Sequence, residues 1–147
     1  MVRLKKISIT QLPALVAIAY MGDNDLLEKY HIKKYDFFEA VASTMLMINE
    51  TSKIHQLKCH KIIYESKPIG YMVSYGNVLY SFGINISLRK KSILVAWWSE
   101  LKKEIGKEFV CRIFRNNTRC IEFLKKQQMQ EIEVNEEHNF VTLLNTK

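Results

Sequence analysis

Three side chains able to hold a metal, His55, Cys59 and His60, fall within six residues, and a helical turn would bring His55 and Cys59 to one face. The segment from Leu57 is rich in β-formers, however, and a strand sets those two side chains far apart; with no fourth ligand evident, a metal is not expected. Cys120 and His138 supply a thiol and a base, but nucleophilic catalysis also needs an orienting group and a pocket, so Cys120 reads better as a semi-buried structural cysteine. Cys59, Cys111 and Cys120 show no CxxC spacing and encode no disulfide framework, which fits synthesis in a reducing compartment. His31, among Lys29, Lys33 and Lys34, reads as a solvated surface histidine.

Lys plus Arg number 22 against 15 Asp plus Glu, a net charge of +7 that favours phosphate-bearing or acidic partners. The basic residues come as scattered pairs, Lys5-Lys6, Lys33-Lys34, Lys90-Lys91, Lys102-Lys103 and Lys125-Lys126, so direct nucleic-acid binding is not favoured. Trp97 and Trp98 sit in a helical stretch, where consecutive side chains diverge by about 100°. Either one of them reaches the surface and anchors a protein contact, or both pack at the edge of one broad core face.

These residues are positioned by a chain of 147 residues, 48% hydrophobic and 25% charged, with five Gly and two Pro, a composition that excludes disorder and collagen-like repeats. At this length roughly two-thirds of the unfolded surface is buried on folding, so a single domain over 1–147 needs no disulfide or structural metal. No apolar run reaches the roughly 18 residues of a membrane span, and Met1 to Ser8 lacks the apolar stretch of a secretory signal.

Leu4 to Ile9 reads as a strand, followed by a helix that Thr10 caps, Pro13 enters and Gly22 ends. A short helix covers about 25–30. Asp36 with Glu39 announces a third, whose stripe of Phe37, Val41, Met45 and Ile48 is widened by Phe38, Ala42 and Leu46. From His55 the period changes, and strands over 57–65, 69–75 and 78–86 form an antiparallel meander with turns at Ser66-Lys67-Pro68 and Gly76-Asn77. The longest helix is expected from about Leu88 to Ile105, stopped by Gly106. A strand over 109–114, a helix capped by Asn117 and strands over 132–134 and 140–144 complete an α+β order around a mixed sheet.

This order resembles the GNAT acetyltransferase fold, a mixed, mostly antiparallel central sheet flanked by helices on both faces. The likeness is sharpest from Lys67 to Ile132. Within it, Asn117-Thr118-Arg119-Cys120-Ile121-Glu122-Phe123-Leu124-Lys125, preceded by the Trp97-Trp98 pair, is similar to the acetyltransferase-like internal virion proteins of short-tailed phages. In the GNAT family the turn after the fourth strand carries Arg or Gln, two free positions, Gly, one free position, then Gly or Ala, so that free N–H groups at a helix start approach a pyrophosphate. Here that stretch is Arg89-Lys90-Lys91-Ser92-Ile93-Leu94: Arg89 is kept, while Ser92 and Leu94 replace the small residues. The family's Tyr that protonates the coenzyme A thiolate aligns with Leu124, and its Gly-Phe pair with Gln128-Met129. No carboxylate stands in 78–86 to act as base, where Tyr80 or Ser81 would at best orient a water.

The resemblance with these losses implies a non-catalytic GNAT-fold structural or assembly protein of a bacteriophage particle. Located in the virion and needing no cofactor, it would contact other virion proteins in a symmetric assembly through Arg89, Lys90, Lys91, Trp97 and Trp98. The alternative is a cytoplasmic, acetyl-CoA-dependent N-acetyltransferase acting on an amine, with Arg89 and Ser92 on the pyrophosphate and Asn117 orienting the pantetheine arm.

Overall fold

A computed structural model describes residues 1–30 and 34–147; His31 and Lys33 lie outside the described residues. The strands are β1 (Val2–Ile7), β2 (Lys58–Tyr64), β3 (Lys67–Tyr75), β4 (Val78–Ile84), β5 (Phe109–Phe114), β6 (Gln130–Asn135) and β7 (Phe140–Asn145). The helices are α1 (Leu12–Tyr20), α2 (Asn24–Glu28), α3 (Phe37–Ser52), α4 (Lys91–Ile105) and α5 (Thr118–Lys126). All seven strands join one sheet in the order β1-β2-β3-β4-β5-β7-β6, antiparallel throughout except for the parallel pair β4–β5. This is the mixed α+β architecture expected from the order of elements.

Strand alternation divides the core between two faces. Tyr71 and Val73 of β3 pack with Leu15, Val16 and Tyr20 of α1 and Ile48 of α3. Met72, between them, packs on the opposite face with Trp97 and Leu101 of α4 and Leu124 of α5. Gly83 of β4 brings α1 close to the sheet, because a Cβ there would meet the Ala19 Cβ at 3.0 Å.

Several local expectations are corrected. Thr10 does not cap α1: Ser8 opens a 3-10 turn over Ile9–Gln11, its N–H donating to Gln11 Oε1 at 3.0 Å, and α1 starts only at Leu12. The β2–β3 turn is Glu65-Ser66, both at positive φ (52° and 66°), the geometry a two-residue hairpin needs. Pro68 therefore stands inside β3 opposite Ile63, where the register shifts. Asp36 does cap α3, accepting from the Glu39 N–H at 2.8 Å. Phe38 and Leu46 do not widen its buried stripe; they are 81% and 65% exposed. Each lies two positions, about 200° of helix, from the buried row Ala40, Thr44 and Ile48. At 16 residues α3 is also longer than α4, at 15, because Ile86–Leu88 forms a separate 3-10 turn.

Trp97 and Trp98 are both buried in one core cluster, so of the two readings the shared core holds and the surface anchor is not formed. One helix face cannot hide both, but Phe123 of α5 covers the second side, its ring 6.4 Å from Trp97 and 5.9 Å from Trp98. Phe82 and Phe109 of the sheet complete the packing, at 5.4 Å from Trp97 and 5.5 Å from Trp98.

Candidate functional site

β4 and β5 pair only at Val78↔Val110 and Leu79↔Cys111 and then part. The parting coincides with a bulge: Val73 of β3 faces Ser81 and Ser74 faces Leu79, which leaves Tyr80 as the extra residue of β4. A bulge raises local twist and bends the strand away from its neighbour. The result is a cavity of about 350 Å³ that reaches both faces of the sheet, bounded by Tyr20 and Asp23 on one side and Leu94, Trp97 and Phe123 on the other.

At the open end, Asp23 caps α2, accepting from the Leu26 N–H at 3.1 Å, and is fully buried. Arg89 donates to it at 2.6 Å, and Arg119 at 2.9 and 3.0 Å. Burial pushes the Asp23 carboxyl up, but the Arg89 charge and the Arg119 and Leu26 hydrogen bonds outweigh it and hold the group below its ordinary range. Arg89 also donates through Nε to the Ile84 carbonyl at 2.8 Å. The arginine expected to meet a pyrophosphate is thus already engaged by a carboxylate of the chain itself.

The start of α4 is different. Lys90 holds the N-cap position with no side-chain cap bond, and Lys90, Lys91 and Ser92 are exposed. First-turn N–H groups without a cap, at the positive end of a helix, form an anion-receptive end. Asn117 lines the cavity, but its Oδ1 caps α5, accepting from the Cys120 N–H at 3.1 Å.

The inner wall carries a chain of hydroxyls that the sequence did not reveal. Thr44 meets Tyr20 at 2.7 Å, Tyr20 meets Tyr71 at 3.4 Å and Tyr71 meets Ser81 at 2.9 Å. Burial raises the Tyr20 pKa and raises that of Tyr71 well above its ordinary value, so both stay neutral donors and acceptors near neutral pH. Tyr80 is tied to α3, accepting from Thr51 Oγ1 at 2.7 Å. Leu124, which the resemblance aligns with the family's acid, is fully buried in the core. Gln128 and Met129, which the resemblance aligns with the family's Gly-Phe pair, take a left-handed φ of 71° and a buried place in the core.

The remaining residues of interest do not converge. Cys59 and His60 are consecutive in β2 and point to opposite faces, Cys59 into the α1 side and His60 toward Glu104 at 3.0 Å. His55 is exposed and stacks on Tyr75 at 4.0 Å. Among the described residues no cluster of His, Cys, Asp and Glu has the makings of a metal site. His138 is exposed in the β6–β7 turn, and burial pushes the Cys120 thiol up to about 12, so it is not a thiolate at neutral pH. Among the described residues no helix is long and apolar enough to cross a membrane.

The fold is that of the GNAT acetyltransferases, as superposition on solved structures shows. An acetyltransferase from Thermus thermophilus superposes with a TM-score of 0.73 at 9% identity, covering 99% of this chain and 96% of that one. A PaiA N-acetyltransferase from Thermoplasma acidophilum in complex with coenzyme A gives 0.64 at 14%, covering 100% and 99%. An aminoglycoside acetyltransferase in complex with coenzyme A gives 0.69 at 12%, covering 100% and 95%. No family model and no curated protein matches the sequence.

The cleft fits an acyl-coenzyme A in two respects. The uncapped α4 start, flanked by Lys90 and Lys91, suits a phosphate, and the apolar walls at Phe82, Leu94 and Trp97 suit an uncharged arm. The Trp97 ring lines the cleft, while its indole N–H is sealed from solvent and has no acceptor among the described residues.

Proposed function

We propose that this chain is an acetyl-CoA-dependent N-acetyltransferase whose cleft takes the acyl donor between β4 and β5. The observation that carries the reading is the cleft opened where β4 and β5 part, lined by Arg89 and Leu94 on either side of the uncapped start of α4. Bound there, acetyl-CoA supplies an acetyl group activated as a thioester. The exchange replaces a C–S bond by an amide C–N bond, and the amine's proton ends on the thiol product. Lys90, Lys91 and the first α4 amides would hold the phosphates, and the Phe82, Trp97 and Phe123 rings would exclude water. With Leu124 buried and Asp23, the carboxylate among the described cleft residues, held by Arg89 and Arg119, the chain contributes mainly proximity and orientation. Such an enzyme would work in the cytoplasm.

A second reading, the non-catalytic assembly protein of a phage particle, is favoured by Leu124, by the Leu94 side chain in the cleft wall and by the Asp23 hold on Arg89. In it the exposed Lys90 and Lys91 would face other virion proteins. Calorimetric titration with acetyl-CoA, and with coenzyme A as control, separates the two. Micromolar binding supports the transferase; no heat at high ligand concentration removes it and leaves the assembly role.

A further inference from the structure

Beside Met47 of α3, a groove of about 320 Å³ runs over β5 and β7. It shares Met47, Tyr80, Arg112 and Phe114 with the cleft, so the two meet where β4 and β5 part. Tyr75, Tyr80 and Phe140 give it aromatic walls, and Arg112 gives it charge. The Arg112 guanidinium lies over the Phe140 ring at 4.9 Å and is exposed, with no salt bridge to a described carboxylate. The nearest acid by register is Glu133, one strand beyond Thr142, and its carboxylate accepts from Thr142 Oγ1 at 3.3 Å.

Arg112 does not belong to the phosphate end of the cleft. From Tyr80, beside it, to Ile84, beside Arg89, β4 advances four residues, about 13 Å. The single carboxylate among the described cleft residues, Asp23, is cancelled by Arg89 and Arg119. Arg119 also reaches Asp25 at 4.0 Å, so a polycationic amine meets the unpaired charge of Arg112 and no free acid among the described cleft residues, a repulsive arrangement. A small amine that also carries an anionic group meets a guanidinium fork, and a flat ring in the same molecule meets three aromatic side chains. The volume, near the low end for ligand sites, suits a compound of amino-acid size.

We infer that this groove is the acyl-acceptor subsite and that it selects a small amine bearing a carboxylate and an aromatic ring. Calling the bound amine an acceptor rests on the transferase reading; the recognition does not. The experiment is ligand-observed NMR or calorimetry with phenylalanine, phenethylamine and kanamycin as probes, in the absence of acyl donor, on the wild type, Arg112→Gln and Arg112→Lys. Because Arg112 is exposed, thermal melts of both variants should match the wild type. Phenylalanine should bind about tenfold tighter than phenethylamine, the worth of one charge-assisted contact. Arg112→Gln should abolish that ratio and Arg112→Lys keep part of it. A ratio near one in the wild type, a ratio unchanged in Arg112→Gln, preference for kanamycin, or no binding by any probe overturns the inference. Titration with acetyl-CoA is read separately, so loss of donor binding with the phenylalanine preference intact removes the transferase reading and leaves the groove.

Discussion

Replacing Asp23 by Ala removes the carboxylate that ties α2, the β4–α4 turn and α5 together at the mouth of the cleft. In the folded chain it is fully buried and accepts from Arg89 at 2.6 Å, Arg119 at 2.9 and 3.0 Å and the Leu26 N–H at 3.1 Å. Removing one partner of a buried pair costs about 3–5 kcal/mol, because the other charge is stranded. The Arg89 and Arg119 side chains keep 23% and 39% exposure, so water recovers part of their solvation. The lower end, about 3 kcal/mol, follows. At about 3 °C per kcal/mol for a chain of this size, Tm falls by roughly 9 °C. Asp23→Asn keeps the Leu26 cap and loses only the charge, for about 2 kcal/mol. Urea unfolding followed by tryptophan fluorescence reads both as a lower midpoint at constant slope. The sign of the pH effect is fixed by the lowered folded pKa: the unfolded chain binds the proton more readily. The Asp23 contribution is therefore complete above the unfolded value, about 4, and is lost as pH falls through the folded value. The gap between wild type and Asp23→Ala should stay flat from about pH 7 to 5 and close in stronger acid. A loss below about 0.5 kcal/mol, or a gap that persists in acid, would refute the three-way clamp.

Leu94→Ala widens the cleft and should tighten acetyl-CoA binding by calorimetry, while costing about 1 kcal/mol of stability for a half-buried leucine. Trp97→Phe cuts back a fully buried ring that packs on Phe82 and Phe123 and lines the cleft; it should cost about 1–3 kcal/mol in urea unfolding and weaken coenzyme A binding by calorimetry. Burial lowers the His60 pKa against the opposing pull of Glu104, so the unfolded chain takes up that proton first and wild-type stability should fall as pH drops below about 6.5. His60→Phe should flatten that slope in urea unfolding at a series of pH values.

The elements with local signals were legible. Asp36 and Glu39 mark the start of α3, Gly106 at φ 89° ends α4, and Asn117 caps α5, each a contact within three residues or one backbone angle. The β2–β3 turn was misplaced because Pro68 carries the strong turn signal, while Glu65 and Ser66 adopt positive φ without the Asn-Gly chemistry that advertises it. Phe38 and Leu46 misled for a different reason. Hydrophobicity marks them for burial, but α3 has only one face against the protein. The site was half visible. The Arg89 to Leu94 stretch stood out by resemblance, yet what Arg89 does there depends on Asp23, and Arg119 reaches the same carboxylate across 96 residues. The Tyr80 bulge and the Thr44-Tyr20-Tyr71-Ser81 chain likewise arise from pairing between distant elements, which no spacing along one segment encodes.

That the space between β4 and β5 is a site for an acyl-coenzyme A is the central claim. Backbone amide NMR with coenzyme A added to the assigned protein tests it most directly, because each N–H reports its own place. Shifts are expected to concentrate at the start of α4, Lys91 to Ile93, along β4 from Phe82 to Ile84 and at the Trp97 indole, with β1 and β6 unmoved. Shifts scattered over the exposed lysine pairs, or none at all, would contradict it.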